Sequence, residues 1–174
     1  MNLTRQTLLL WWGLTVTGAY LATEYIGHTM HHGHEAVLWT WSGAMLIPLG
    51  LTLLLGGRRN ALAVVWAVAT ALVMAQNYWA HAAGAKATMQ FSFHTLWFLF
   101  GAAGFAYTAA VVSGRRRRWL YAGAAGLNLL GAGLLLLHPD TLKGYQYLVL
   151  ALIQGVPMLL DVPLRRQHEA QARS

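Results

Sequence analysis

The chain has 174 residues, of which 57% are hydrophobic and 10% charged, with a net charge of +7 and no cysteine. An ordinary soluble domain carries about 25% charged residues, so lipid rather than water is expected to solvate most of this surface. The lack of cysteine excludes disulfides, thiolate metal sites, iron–sulfur clusters and cysteine nucleophiles.

Six apolar segments follow one another, each close to the ~20 residues needed to cross the hydrocarbon core of a bilayer. The first covers about 8–26, behind Arg5. It is too long for the apolar region of a signal peptide, and no small-x-small cleavage site is evident near Ala19–Ala22, so it reads as a first transmembrane helix. The second covers about 36–55 and stops at Gly56-Gly57-Arg58-Arg59. Asn60 is a plausible N-cap for the third, about 61–80. The fourth, about 89–112, ends before the run Arg115 to Arg118. The fifth, about 119–137, is ended by His138-Pro139, and Asp140 and Thr141 offer an N-cap for the sixth, about 142–164. Residues 165–174 read as a polar, partly disordered tail.

The expected fold class is therefore all-α: a polytopic integral membrane protein, a single six-transmembrane-helix bundle over 1–164 with short loops. Six spans put both termini on one side. Ten of the twelve Lys and Arg then fall on that side, leaving only Lys86 and Lys143 opposite. The positive-inside rule makes the termini cytoplasmic and puts the other face in the periplasm or outside the cell. The same placement makes the basic residues topology determinants rather than a nucleic-acid patch. Small residues (Gly101, Gly104, Gly123, Gly126, Gly131, Gly133) favour close helix packing. Trp11, Trp12 and Trp119 suit an inner interfacial belt and Trp39, Trp41 and Trp79 an outer one, with Trp66 and Trp97 deeper.

Polar chemistry concentrates in Glu24 to Glu35, twelve residues that hold four of the eight histidines and two of the five acids. On the expected topology His28, His31, His32, His34, His81, His94 and His138 lie at or near the outer face, and only His168 lies inside. Glu24, His28, His31, His32 and Glu35 would share a face if the first helix ran on unbroken. Glu24, His28, His31 and His32 are the expected metal ligands, with His34 and Glu35 read as a wet loop. A carboxylate inside an apolar run is costly and needs a partner, which singles out Glu24. His81, His94 and His138 are expected to close the site from three other helices, as ligands of a cofactor. Asn77 and Gln90 lie four residues before His81 and His94 and could orient them, or serve as inter-helix contacts. Asn128 and Gln154 suggest a polar pocket toward mid-membrane, and Asp161 an ion pair with Arg165 or Arg166.

Imidazole and carboxylate without thiolate suit copper, iron or zinc, or haem b held by paired histidines such as His81 with His94 or His28 with His138. The pattern His28-x-x-His31-His32 resembles the His-x-x-His-His box of membrane desaturases and hydroxylases, whose di-iron centres use several such boxes. This chain has one box, on the opposite side of the membrane. The expected function is redox or electron transfer at a metal or haem site near the outer face. Metal handling (transport or metallation) and a non-catalytic membrane subunit stay open as alternatives. The expected partners are the lipid bilayer, a membrane or outer-face redox partner, and further copies of the chain.

Overall fold

A computed structural model describes residues 3–30, 33–54 and 61–171. Among them the protein is all-helical, with six continuous helices. They are α1 (Leu3–Thr29), α2 (His34–Leu54), α3 (Ala61–Ala83), α4 (Lys86–Val111), α5 (Arg115–Leu137) and α6, which runs through Gln146–Leu150, Ala151–Gly155 and Val156–Gln171. Within the described residues, α3, α4, α5 and the Gln146–Arg165 part of α6 are each long and apolar enough to cross a membrane.

Every helix runs antiparallel to its sequence neighbour, and α6 returns to pack along α1, so the six close into a ring. One end of the ring carries His28, His34, His81, His94 and His138 and is called here the histidine end. The other carries Arg115 to Arg118 and Arg165 and is called the arginine end. Backbone polar groups are satisfied within each helix, as a lipid environment requires.

Glycines set how closely the helices approach. A Cβ at Gly101 would collide with the side-chain amides of Asn128 and Gln154, and one at Gly131 with the ring of Phe98. Gly104 makes room in the same way for Trp66, and Gly155 for Thr17. The sequence signal for small-residue packing on α4 and α5 is thus explained by particular partners.

The core is aromatic. Tyr20, Trp41 and Trp97 lie at the centre, with Trp41 stacked on Trp97 at 4.7 Å and Tyr20 edge-on to Trp41 at 4.7 Å. Trp12 and Trp41, expected in the interfacial belts, are buried. Trp41 Nε1 donates to Thr23 (2.9 Å) and Trp12 Nε1 to Thr52 (3.3 Å), so both indoles face the ring interior. Trp11, Trp39, Trp79 and Trp119 remain exposed.

Two turns are wider than α-helical: Phe91–Thr95 in α4 and Ala151–Gly155 in α6. Widened turns loosen the regular ladder and let main-chain carbonyls accept side-chain donors. Around the α4 turn, Phe93 O accepts from Tyr147 Oη (2.8 Å) and Trp97 O from Gln154 Nε2 (2.9 Å). Asn77 Nδ2 donates to Ser92 O (2.6 Å), in the amide orientation that satisfies both its neighbours.

Helix ends depart from expectation in three places. α6 opens at Gln146, not after Asp140 or Thr141, because residues 139–145 form turns that place Gly144 at φ +81°. α1 ends at Thr29 and α2 starts at His34, so Glu35 stands on α2 and does not share a face with Glu24. The C-terminal tail is helical to Gln171 rather than irregular. Asn60, Arg58 and Arg59 lie outside the described residues.

Candidate functional site

Glu24 is the hinge of the histidine end. Its side chain is 14% exposed. Oε2 accepts from the backbone N–H of Tyr147 (3.0 Å) and of Leu148 (3.3 Å). These are amides of the first turn of α6, which have no partner inside their own helix. α6 has no side-chain cap of its own, its N-cap position being Tyr145. A carboxylate from α1 therefore supplies the cap, where the positive end of the helix dipole favours negative charge. The partner of Glu24 is thus a helix terminus 123 residues away in sequence. Glu24 Oε1 is buried with no hydrogen bond, 3.6 Å from His28 Nδ1.

His28 sits one turn above Glu24. Its Nδ1 lies 2.8 Å from the Glu24 carbonyl, the position of a donor. In the neutral imidazole this places the proton on Nδ1 and the lone pair on Nε2, the form that binds a metal. Nε2 faces Gly144, the closest heavy atom within 4 Å of a Cβ at that position (3.7 Å). A larger residue at 144 would meet an unfavourable φ, with the imidazole at ordinary contact distance.

His94 occupies the widened turn of α4. Its Nδ1 is buried and makes no hydrogen bond. Its ring lies 5.5 Å from that of Tyr147, the residue whose amide Glu24 caps. His34, at the start of α2, is within electrostatic range of His94 and packs edge-on against Phe93 at 5.1 Å. The end of the ring therefore holds a connected set: His28 and Glu24 on α1, Tyr147 on α6, His94 on α4 and His34 on α2.

The other expected residues are placed differently. His81 is exposed at the end of α3, and His138 is exposed as the C-cap of α5. No hydrogen bond, ion pair or ring contact joins either of them to His28 or His94 among the described residues. His31 and His32 lie outside the described residues. Within the described residues, no three of His, Asp or Glu stand together as a metal-ligating group. Glu35 is exposed and accepts from Trp39 Nε1 at 3.5 Å.

The amides do inter-helix work. Asn77 Oδ1 accepts from Trp97 Nε1 (3.1 Å), which commits it to α4 and not to His81. Gln90 is exposed. Gln154 and Asn128 do not line a polar pocket together. They satisfy each other (Nε2 to Oδ1, 2.7 Å), while Gln154 Oε1 accepts from Tyr20 (2.8 Å) and Asn128 Nδ2 donates to Ala124 O (2.8 Å).

Sequence reasoning missed His34 as a neighbour of His94 and assigned it to a loop. Its position at the start of a buried helix, two residues before the run Ala36-Val37-Leu38, was the available signal. It missed Tyr147 altogether, because a tyrosine in an apolar run carries no mark of the cap it stands beside.

At the arginine end Asp161 is fully buried and is held by Arg117 through Nε and Nη2, the latter at 2.8 Å to Oδ2. Tyr121 Oη donates to the same Oδ2 at 2.9 Å. The pairing with Arg117, a residue of the antiparallel neighbour α5, was not expected from the sequence, which offered Arg165 and Arg166; the side chain of Arg166 lies outside the described residues. A fork-to-fork pair of this kind is geometrically specific, and it joins α5 to α6.

Comparison with protein-family models, with curated proteins and with solved structures gives no match to this chain.

Proposed function

We propose that the chain is a six-span membrane protein with both termini in the cytoplasm, and that its outer face binds a transition-metal ion for redox or electron-transfer chemistry. The topology rests on charge: on six spans, ten of the twelve Lys and Arg fall on one side in the sequence and only Lys86 and Lys143 on the other. Residues 1–164 then act as one domain, in a cell membrane.

The observation that carries the metal reading is the Nδ1 of His94, a buried imidazole nitrogen without a partner. Such an atom costs free energy unless an ion or water completes it. His34 supports it as a second imidazole on a neighbouring helix. His31 and His32, three and two residues before His34 in sequence, are the further candidate donors. His28 Nε2 and Glu24 Oε1 are the further donors at this end, and Glu24 also fixes α6 beneath them. The rings of Phe93 and Tyr147 occupy the flanks of His34 and His94, which favours an ion over a porphyrin. Imidazole with one carboxylate oxygen suits copper, iron or zinc, of which copper and iron exchange electrons.

The arginine end argues for a confined site rather than a transport path. Asp161, Arg117 and Tyr121 satisfy one another there, and no chain of titratable groups connects them to His94 among the described residues.

The test is metal analysis and an absorption spectrum of the full chain purified without chelators. About one copper, iron or zinc per chain is expected, lost in His94→Ala and in His34→Ala and retained in His138→Ala and His168→Ala. A preparation with no stoichiometric metal and no Soret band would refute both the ion and the haem form of the reading.

A further inference from the structure

The aromatic side chains of the core are not gathered at one depth. They form a line from one end of the bundle toward the other. It starts at His94, whose ring lies 5.5 Å from that of Tyr147. Tyr147 stacks on Tyr20 at 6.4 Å, and Tyr20 meets Trp41 at 4.7 Å and Trp97 at 6.1 Å. Trp41 and Trp97 stack at 4.7 Å. Phe100 then bridges Trp97 (5.8 Å) to Trp66 (5.2 Å), and Phe105 bridges Trp66 (5.3 Å) to Tyr121 (5.7 Å). All six helices contribute to the line. Between His94 and Phe105 it descends about 16 Å along α4, at ~1.5 Å per residue. Every pair is at an ordinary aromatic contact distance. The void among Trp41, Trp66, Trp97 and Phe100 is only about 10 Å³, room for about one water, so nothing larger separates these rings.

Packing accounts for buried aromatics, but two features go beyond it. First, Tyr147, Tyr20, Trp41, Trp97, Trp66 and Tyr121 are all of the types that give up an electron, and only the two bridging phenylalanines are not. Second, the line ends where a proton can be received. A phenol that loses an electron becomes a strong acid and must pass on its proton to leave a neutral radical. Tyr147 Oη donates to the Phe93 carbonyl and Tyr20 Oη to the Gln154 amide oxygen (2.8 Å each), and neither acceptor holds a proton. Tyr121 Oη donates to a carboxylate, Asp161 Oδ2, at 2.9 Å.

Electron tunnelling falls off exponentially with distance, so short steps between oxidisable rings outrun one long step through aliphatic side chains. We propose that this line carries an electron hole from the histidine end to Tyr121, with Asp161 as the proton acceptor. One electron leaves Tyr121, passes ring by ring toward His94 and reduces the oxidant there. The phenol O–H bond breaks, the proton moves to Asp161 Oδ2, and a neutral tyrosyl radical remains. One electron from a thiol- or ascorbate-class reductant at the arginine end, with the proton returned by Asp161, restores the phenol. The oxidant is of the high-potential one-electron class that copper or iron forms with peroxide, and the line discharges it before it attacks the histidines. The origin of that oxidant rests on the metal reading above; conduction along the rings does not.

The test supplies the hole with no metal at the histidines. The chain has no cysteine, so Glu35→Cys, on the exposed first turn of α2, takes a single ruthenium polypyridyl label. Trp39→Phe is combined with it to remove the exposed indole beside the label. The full chain in nanodiscs is oxidised by a flash with a soluble electron acceptor present, and radicals are identified by transient absorption and freeze-quench EPR. The expected product is a tyrosyl radical. Tyr121→Phe should abolish it and leave a tryptophanyl radical in its place. Trp66→Phe keeps a ring in the contact but not an oxidisable one, and should trap the hole on the histidine side of the gap, again without the tyrosyl signal. Tyr107→Phe changes an exposed tyrosine outside the line and should have no effect. Thermal unfolding checks that each variant is folded. A tyrosyl signal undiminished in Tyr121→Phe would overturn the end point, and one undiminished in Trp66→Phe the route. No radical beyond the label would leave the rings as packing alone and overturn the proposal. Bound metal is measured separately, so empty histidines with these results intact would refute the metal reading only.

Discussion

Each end of the ring buries a carboxylate, and the two are treated in opposite ways. Asp161 has both oxygens engaged, by Arg117 and Tyr121. Glu24 gives one oxygen to the N-terminus of α6 and keeps Oε1 without a hydrogen bond, beside a histidine end where His94 Nδ1 is also unpartnered. A saturated network is rigid and has nothing left to offer a ligand. An unsatisfied buried polar group costs about 1–3 kcal/mol, so a fold that keeps two at one end is holding donor capacity there. On the proposed reading, the arginine end is architecture and the histidine end is where a ligand would bind.

The strongest way to break this comparison is to open the saturated end. Asp161→Ala takes the carboxylate away from the Arg117 guanidinium, which is 11% exposed. Removing one member of a buried ion pair costs about 3–5 kcal/mol, the largest effect expected for any single change in this chain. Denaturant unfolding in detergent measures it. The double change Arg117→Met with Asp161→Leu should recover most of the loss, since the cost lies in the stranded charge. A loss below about 1 kcal/mol in Asp161→Ala would show that water reaches the pair and that the end is not a closed lock.

A smaller effect is expected midway between the ends. Gly101→Ala forces a Cβ into the Asn128 and Gln154 amides, which are already packed against each other. Overpacking of this kind costs about 1–3 kcal/mol. Gly123→Ala is the matched control, because nothing lies within 4 Å of a Cβ there. It should be neutral or stabilising by up to about 1 kcal/mol, the ordinary gain of Ala over Gly in a helix. Equal effects at 101 and 123 would mean that the amide pair gives way to the added methyl and that the close approach at Gly101 is not tight.

Much of this was legible in the sequence, and the failures share a cause. The helices follow from apolar runs bounded by glycine, proline and charge, which are local signals. The small residues of α4 and α5 signalled close packing because lipid leaves few other ways for helices to associate. What was not legible was the identity of partners distant in the chain. Asp161 was matched to Arg165 and Arg166 because they are near in sequence, and the partner Arg117, brought by the antiparallel neighbour, was not foreseen. Trp41 was assigned to the interface by its depth, although Trp39, two residues away and so on nearly the opposite helix face, is the exposed one. Glu24 was recognised as a carboxylate in need of a partner. Its partner is a pair of backbone amides, and a main-chain N–H leaves no trace in the residue types.

That last point yields the finest test, because it separates two roles for one residue. Glu24→Gln keeps a carbonyl oxygen that can accept from Tyr147 and Leu148 but removes the charge. Hydrogen bonds to charged groups contribute about 1.5–3 kcal/mol against ~0.5–1.5 for neutral ones, so the cap should weaken by about 1 kcal/mol. Amide hydrogen exchange at Tyr147 and Leu148 should then rise by about five-fold, with exchange in the middle of α6 unchanged. If Glu24 were chiefly a metal ligand, the same variant would lose bound metal while those two amides kept their protection. If it does both, through Oε1 and Oε2 separately, metal content and protection fall together in Glu24→Gln, whereas His28→Ala lowers metal content alone.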